Sequence, residues 1–379
     1  MNNTILILGT NSGQLDLIKT MKELGWYVIG CSNRSDEVGV KYTDKFYEVD
    51  IRDIEAVSKI AVDNDVNLVY SVSSDTAIKS VVQVSSKLNL PTFYSEELIR
   101  LLDNKQDLRS FLNNIDLSIV NYVEVDAIDD SNKWNTFPCI VKPSNAQGQR
   151  GVKKVDNAYE LKNSVINAKQ FSSNNTAVIE DFLDGVEISC NVLVSEGQIV
   201  FDILSERLIY NDEYFGIPKG HLIPCVNIDE DTKKKAVELV SNVVKALEIE
   251  NGPLYFQMKA TTNGVKIIEI APRLDGCHMW RLIQHATNRS FLVETIEVLL
   301  NKHQSMQRVK LKDNKYYELI FQHSQPSQTF EEERFPIPVD ALYHEYRYSN
   351  GEAINIINGK KEVVGYYVAE FPKDKWEDE

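Results

Sequence analysis

Between Leu254 and Arg273 the chain sets an amide, a lysine, a carboxylate and an arginine at spacings that a β-hairpin would gather on one surface. Asn263-Gly264 marks the turn. A two-residue loop would make Gln257 face Ile270 and send Glu269 to the other side of the sheet. The three-residue loop Thr262-Asn263-Gly264, with Gly264 left-handed, would instead set Gln257 directly opposite Glu269. In that second register the two-residue period puts Gln257, Lys259, Glu269, Ala271 and Arg273 on one face. An acid and an arginine then project from the rigid floor of a cleft and can hold Mg²⁺ and a phosphoryl group. Magnesium takes oxygen ligands, usually one or two carboxylates plus substrate phosphates. The plainer reading is a surface strand with a Glu–Arg ion pair, and spacing alone leaves both open.

Strand and helix alternate upstream. Ile5–Leu8 reads as a buried strand, Leu15, Ile18, Met21 and Leu24 as one face of a helix, and Tyr27–Cys31 as the next strand. The pattern repeats through Phe46–Val49, Ile54–Val62, Leu68–Val72 and Ile78–Leu88, which predicts βαβ units on a parallel sheet. The Gly9–Gly13 loop is not GxGxxG, and Cys31-Ser32-Asn33-Arg34 lacks the acid that holds a ribose, so a nicotinamide enzyme is disfavoured. A charged helical stretch, Ser95 to Leu112, leads to a region of antiparallel hairpins: Pro138–Pro143, Ala177–Ile179, Val186–Val194 and Gln198–Leu204. Arg207 to Val226 reads as a long irregular stretch with glycine, proline and aromatics, of a length that is usually functional or mobile. Tyr317–Phe321, Ala353–Ile357 and Val363–Val368 predict a small β-rich C-terminal piece. The expected division is 1–103, 104–304 and 305–379.

At 379 residues, with 43% hydrophobic and 26% charged side chains, the chain has material for two or three cores. A formal charge of −15 disfavours a nucleic-acid partner, which needs clustered Lys and Arg. The N-terminus lacks a basic and apolar leader and no run of 18 apolar residues occurs, so the expectation is a cytoplasmic protein with no membrane partner. Five scattered cysteines without a CxxC pair point to reduced thiols, with Cys139 and Cys190 in the core.

Glu269-Ile270-Ala271-Pro272-Arg273-Leu274-Asp275-Gly276 resembles the metal-binding signature of the ATP-grasp superfamily, carboxylate–amine ligases and relatives of biotin-dependent carboxylases. Five further segments resemble that family in the same order. Asp103-Asn104-Lys105 with Arg109 resembles the segment whose lysine reaches nucleotide phosphates, and Val141-Lys142-Pro143 the second phosphate lysine. Asn145 to Val152, with Gln147, Gly148 and Gly151, resembles the glycine loop over the triphosphate; Glu180-Asp181-Phe182-Leu183 the adenine hinge; Glu187 the ribose-binding acid. Singly, each has a plainer reading as a turn or a solvated charge.

The resemblance implies an α/β and α+β protein: a Rossmann-like parallel domain, a two-subdomain ATP-grasp module and the C-terminal piece. It implies ATP and Mg²⁺, with Mn²⁺ as a substitute, and metal ligands Gln257 and Glu269. Arg273, Lys142 and Arg281 are the catalytic candidates, Arg281 by pairing with a substrate carboxylate. His221, His278, Glu206 and Arg207 are candidates for substrate contact. The implied activity joins a small carboxylate, an amino acid by preference, to an amine through an acyl phosphate. The alternatives are a bicarbonate-using carboxylating enzyme and a non-catalytic ATP-binding module. A homodimer is an assembly the resemblance allows. Two departures stand out: Gln257 replaces an acid, and Ala271 replaces a metal-binding asparagine.

Overall fold

The computed structural model describes residues 3–146, 149–210, 214–302, 309, 311–312, 315–356 and 360–372. Three sheets organise them. The first holds β1 (Thr4–Leu8), β2 (Tyr27–Ser32), β3 (Lys45–Glu48) and β4 (Leu68–Tyr70), all parallel in the order β3-β2-β1-β4. Helices α1 (Ser12–Glu23), α2 (Ile54–Asp63) and α3 (Asp75–Leu88) cross between or follow its strands. A strand buried on both faces needs apolar residues throughout, and β1 shows why. Leu6 and Leu8 enter one core with α2 and α3, while Ile5 and Ile7 enter another with α1.

The stretch from Ser95 to Leu112 divides into α4 (Glu96–Asp103) and α5 (Lys105–Asn114) rather than one helix. Asn104, in extended conformation, ends α4, and its side chain accepts from the Gln106 N–H at 3.0 Å to start α5. A short polar residue that satisfies an orphan helix N–H is a natural break point. The break sets Lys105 at the head of a new helix.

The second sheet is antiparallel, β5 (Tyr122–Val125), β6 (Cys139–Pro143), β7 (Lys153–Val155) and β8 (Ala177–Asp181), in the order β5-β8-β6-β7, backed by α6 (Ala158–Gln170). The third contains β9 (Val186–Ser195), β10 (Gln198–Ile209), β11 (Pro218–Ile223), β12 (Gly252–Thr261), β13 (Gly264–Ala271), β14 (Lys315–Ser324), β15 (Tyr343–Tyr346) and β16 (Glu362–Pro372). Its order is β13-β12-β9-β10-β11-β14-β16-β15, so the C-terminal strands continue the sheet beyond β11.

Much of the Arg207–Val226 stretch is therefore strand, not irregular loop: β10 runs to Ile209 and pairs with β11. Glycine and proline hid the pattern. Gly220 leaves room for the Leu319 carbonyl of the neighbouring strand, an approach no larger residue would permit. Ala353 forms only an isolated bridge to Thr329. Helix α7 (Glu230–Ala246) packs on one face of the large sheet; α8 (Met279–Thr287) and α9 (Phe291–Leu299) join the opposite core. Among the described residues no helix is long and apolar enough to cross a membrane. Four of the five cysteines are buried, and all are free thiols.

Candidate functional site

The β12–β13 hairpin closes on a Thr261–Gly264 pair, leaving Thr262-Asn263 as the turn, with Gly264 at φ +92°. Continued unbroken, that register would set Gln257 opposite Ile268 and turn Glu269 away. A bulge intervenes. Met258 pairs with Ile267, the extra residue Ile268 is absorbed, and Gln257 pairs with Glu269. Ile268 and Glu269 consequently both line one cleft. The Glu269 carboxylate is half-buried and makes no hydrogen bond or ion pair among the described residues.

Arg109 pins this bulge. Its Nη1 donates to the Ile267 carbonyl at 2.7 Å and its Nη2 to that of Ile268 at 3.5 Å. The same guanidinium reaches Glu180 Oε2 through Nε at 3.2 Å, and Lys142 Nζ holds Glu180 Oε1 at 2.6 Å. Helix α5, the β6–β8 pair and the β13 bulge thus meet on one buried carboxylate. Burial pushes Glu180 up, but Lys142 and Arg109 outweigh it and hold the carboxyl below its usual range. Burial dominates at Lys142 and, with the repulsion of Arg109 and Lys105, brings its ammonium down to about 8 despite Glu180. Lys105 approaches from the head of α5, its Nζ donating to the Ala146 carbonyl at 3.0 Å.

A second charged group continues along the large sheet. Glu187 on β9 holds Arg207 of β10, accepts from Gln257 Nε2 at 2.6 Å, and lies 3.4 Å from Lys259 Nζ. The Gln257 amide nitrogen is thereby committed, and its oxygen, a neutral acceptor, accepts no hydrogen bond from the described residues. The cleft between the two antiparallel sheets is lined by Lys105, Lys142, Glu180, Glu187, Gln257, Lys259 and Glu269. Ile140, Val152, Phe182, Leu183, Phe215 and Ile268 supply apolar walls. Asp181 lines it too, its carboxylate anchored by the Asn121 side-chain amide at 2.8 Å. Gln147 and Gly148 lie outside the described residues. Gly151 stands at φ +71°, packed so that a side chain would collide with Phe171 and Pro143.

A family model described as the ATP-grasp domain matches residues 135–280, the span that carries Lys142, Glu180, Glu187, Gln257 and Glu269. Residues 135–280 of the chain therefore carry an ATP-grasp domain. The carbamoyl phosphate synthase large chain of Pseudothermotoga lettingae is 26% identical over 261 residues, covering 66% of this chain and 23% of that protein. The chain spans about a quarter of the length of such curated relatives. Among solved structures, the L-amino acid ligase of Bacillus licheniformis superposes with a TM-score of 0.82 at 18% identity, covering 100% of this chain and 95% of that one. The biotin carboxylase domain of the Hydrogenobacter thermophilus 2-oxoglutarate carboxylase, in complex with MgADP, ADP and bicarbonate, gives 0.79 at 14% identity, covering 98% and 87%.

Several residues singled out from sequence stand apart from the ATP-grasp cleft. Arg273 lies beyond the end of β13, where Asp75 of α3 holds its Nε and Nη2 and its Nη1 donates to the Leu274 carbonyl at 2.9 Å. Arg281 is clamped by Asp16 of α1 and lies over the Tyr343 ring at 4.5 Å. Glu206 faces away and accepts from the Val226 and Asn227 N–H groups at 3.2 and 3.1 Å. His221 is wholly buried, its Nδ1 near the Ser205 hydroxyl at 3.3 Å and its Nε2 3.8 Å from Asp275. Burial holds its pKa well below the ordinary value, so the ring is neutral. Gln149 of the expected glycine loop lines the cleft, whereas Phe215 and Gly216 were not anticipated as site residues. The one signal was the glycine and aromatic content of the long stretch that holds Phe215-Gly216.

Proposed function

We propose that this chain is a magnesium- and ATP-dependent ligase that activates a small carboxylate as an acyl phosphate, joins it to an amine, and releases ADP and phosphate. The observation that carries the reading is the convergence of Lys105, Lys142 and Glu269, which pairs with none of the described residues, on one cleft from three separate elements. The lysines neutralise a triphosphate as point charges. The apolar walls around Phe182 and Leu183 suit a purine, with Glu187 toward its ribose. The donor set of Glu269 and the Gln257 amide oxygen is hard and oxygen-based, which fits Mg²⁺. When bound there, the metal would neutralise phosphate charge.

A substrate carboxylate oxygen attacks the γ-phosphorus, the bond to the bridging oxygen breaks, and ADP leaves while Lys105 and Lys142 spread the developing charge. The amine nitrogen then attacks the acyl carbon, the bond from that carbon to the phosphate oxygen breaks, and the departing phosphate takes up the proton the nitrogen sheds. Cleft walls that exclude water would protect the acyl phosphate from hydrolysis.

A phosphate-release screen over amino acids and small carboxylates, with and without amines, tests the proposal. Glu269→Ala should lower turnover by about 100-fold or more; full turnover in that variant would remove the metal assignment. Likeness to a carboxylase solved with bicarbonate favours a second reading, activation of bicarbonate. Bicarbonate-stimulated ADP release without any amino acid would select it. ATP binding with no ADP formed under any condition would select a non-catalytic module, a reading that Gln257 in an acid's place favours.

A further inference from the structure

His221 and Asp275 face one another inside the fold without a hydrogen bond between them. His221, on β11, has no exposed surface, and its Nδ1 is near the Ser205 and Ser189 hydroxyls at 3.3 and 3.5 Å. Those two hydroxyls share a hydrogen bond of 2.9 Å. Asp275, 3% exposed, follows β13 and accepts from the Cys277 N–H through Oδ1 at 2.9 Å. Its Oδ2 lies 3.8 Å from His221 Nε2. Neither atom has a hydrogen-bond partner among the described residues. That separation is too wide for a hydrogen bond, so two polar atoms stand unsatisfied at full burial. With Nδ1–H donating to a serine oxygen, Nε2 carries a lone pair toward the carboxylate. Two acceptors across such a gap call for a cation between them.

The Cys277 sulfur makes a third ligand. One ligand atom each from His221, Asp275 and Cys277 lie within 4.8 Å of one another. Tetrahedral zinc holds nitrogen and oxygen at about 2.0–2.2 Å and sulfur at about 2.3 Å, which spaces its ligands about 3.3–3.6 Å apart. The histidine–aspartate gap is near that spacing, and rotation about one bond moves the thiol. A thiolate and a carboxylate balance a dication, and the imidazole is already neutral. Burial and the Asp275 charge keep the free thiol protonated, so its proton passes to solvent as the sulfur–metal bond forms. The cations whose fields reach Asp275, Arg207 and Arg273, are themselves paired with Glu187 and Asp75. Cys277 alone among the five cysteines is half-buried, which gives an ion its way in.

We propose that His221, Asp275 and Cys277 form a site for a zinc-class dication, separate from the oxygen ligands Glu269 and Gln257. Thiolate and imidazole favour zinc or cobalt, whereas magnesium keeps to oxygen. The serines behind Nδ1 hold the ring as the outer-shell partners of metal-bound histidines do. Three protein ligands leave a fourth position for water. The ion fastens the segment after β13 to β11, two strands that the large sheet keeps apart. The site does not depend on the ligase reading.

The test is metal binding by the full chain after chelator treatment, with Mg²⁺ in excess to fill oxygen sites. Zn²⁺ should bind at one ion per chain. Co²⁺ in its place should give a near-ultraviolet sulfur-to-metal charge-transfer band and the strong visible absorption of a tetrahedral ion. Cys277→Ser should abolish that band and weaken Zn²⁺ by about 10- to 100-fold or more, since losing even an outer-shell partner costs that much. Asp275→Asn should weaken binding and keep the band, while Cys31→Ser on β2 should change neither. Zn²⁺ should also raise the unfolding midpoint of the wild type but not of Cys277→Ser. Should Cys277→Ser fail to fold, the wild type decides: bound Zn²⁺ should shield one thiol per chain from iodoacetamide. No Zn²⁺ bound in excess Mg²⁺, a Co²⁺ spectrum without the sulfur band, or equal affinity in Cys277→Ser overturns the site.

Discussion

Glu180 balances two buried cations, Arg109 and Lys142, and its removal is a test of charge as well as of contact. Glu180→Ala leaves both cations without their carboxylate inside the fold. It should lower stability by about 3–5 kcal/mol, read from denaturant unfolding. Lys142 carries a second prediction. Its pKa of about 8 in the free protein means that it is charged at neutral pH and loses its proton in mildly alkaline solution. A triphosphate binds the protonated form and raises its pKa. Nucleotide affinity should therefore be flat below about pH 7 and fall above about pH 8, by up to about tenfold per pH unit. Calorimetry across that range checks it, and Lys142→Met should abolish the slope. The residue types at these positions were legible in sequence; that Arg109 serves the bulge carbonyls was not, since nothing near Arg109 names Ile267 as its partner.

Elements set the register on which these residues depend. The hairpin reaches the Gln257–Glu269 pairing by a two-residue turn and a bulge, where sequence reasoning offered the same pairing through a three-residue loop. A bulge costs a ladder bond and needs an outside partner for the freed carbonyls, here the Arg109 guanidinium. Two glycines separate turn chemistry from packing. Gly264 has open space about its missing side chain, so Gly264→Ala should cost only about 1–2 kcal/mol, for a left-handed backbone, and leave turnover intact. Gly185, at φ +144° between β8 and β9, lies against the Ala260 carbonyl, which an added Cβ would strike. Gly185→Ala should cost about 1–3 kcal/mol and weaken nucleotide affinity, because β9 carries Glu187 and must separate from β12. Unfolding curves beside nucleotide titrations distinguish the two.

Across the whole molecule, the parallel sheet is bound to the region that holds the cleft rather than hung from it. Both of its faces enter cores shared with the large sheet. Two ion pairs then cross from its helices to the segment after β13: Asp75 to Arg273 and Asp16 to Arg281, with Asp16 also accepting from the Trp280 indole at 2.6 Å. Asp16→Ala would orphan the indole N–H and the arginine together. It should lower stability by about 2–4 kcal/mol while tryptophan fluorescence and circular dichroism still report one transition. Two separated transitions would mean that the shared cores do not couple the regions.

The alternation of strands and helices as far as Leu88, the parallel first sheet and the resemblance of Glu269 to Gly276 to the ATP-grasp signature were legible in the sequence, because periodicity and turn residues act within a few positions of themselves. Tertiary structure alone decided where the charges went. Arg273 and Arg281, read as groups for the cleft, bind acids 198 and 265 positions earlier, and Arg347 is left with a histidine. A local pattern fixes the side of an element on which a side chain lies. Which opposite charge it meets there depends on how distant elements pack, and no period in the chain encodes that.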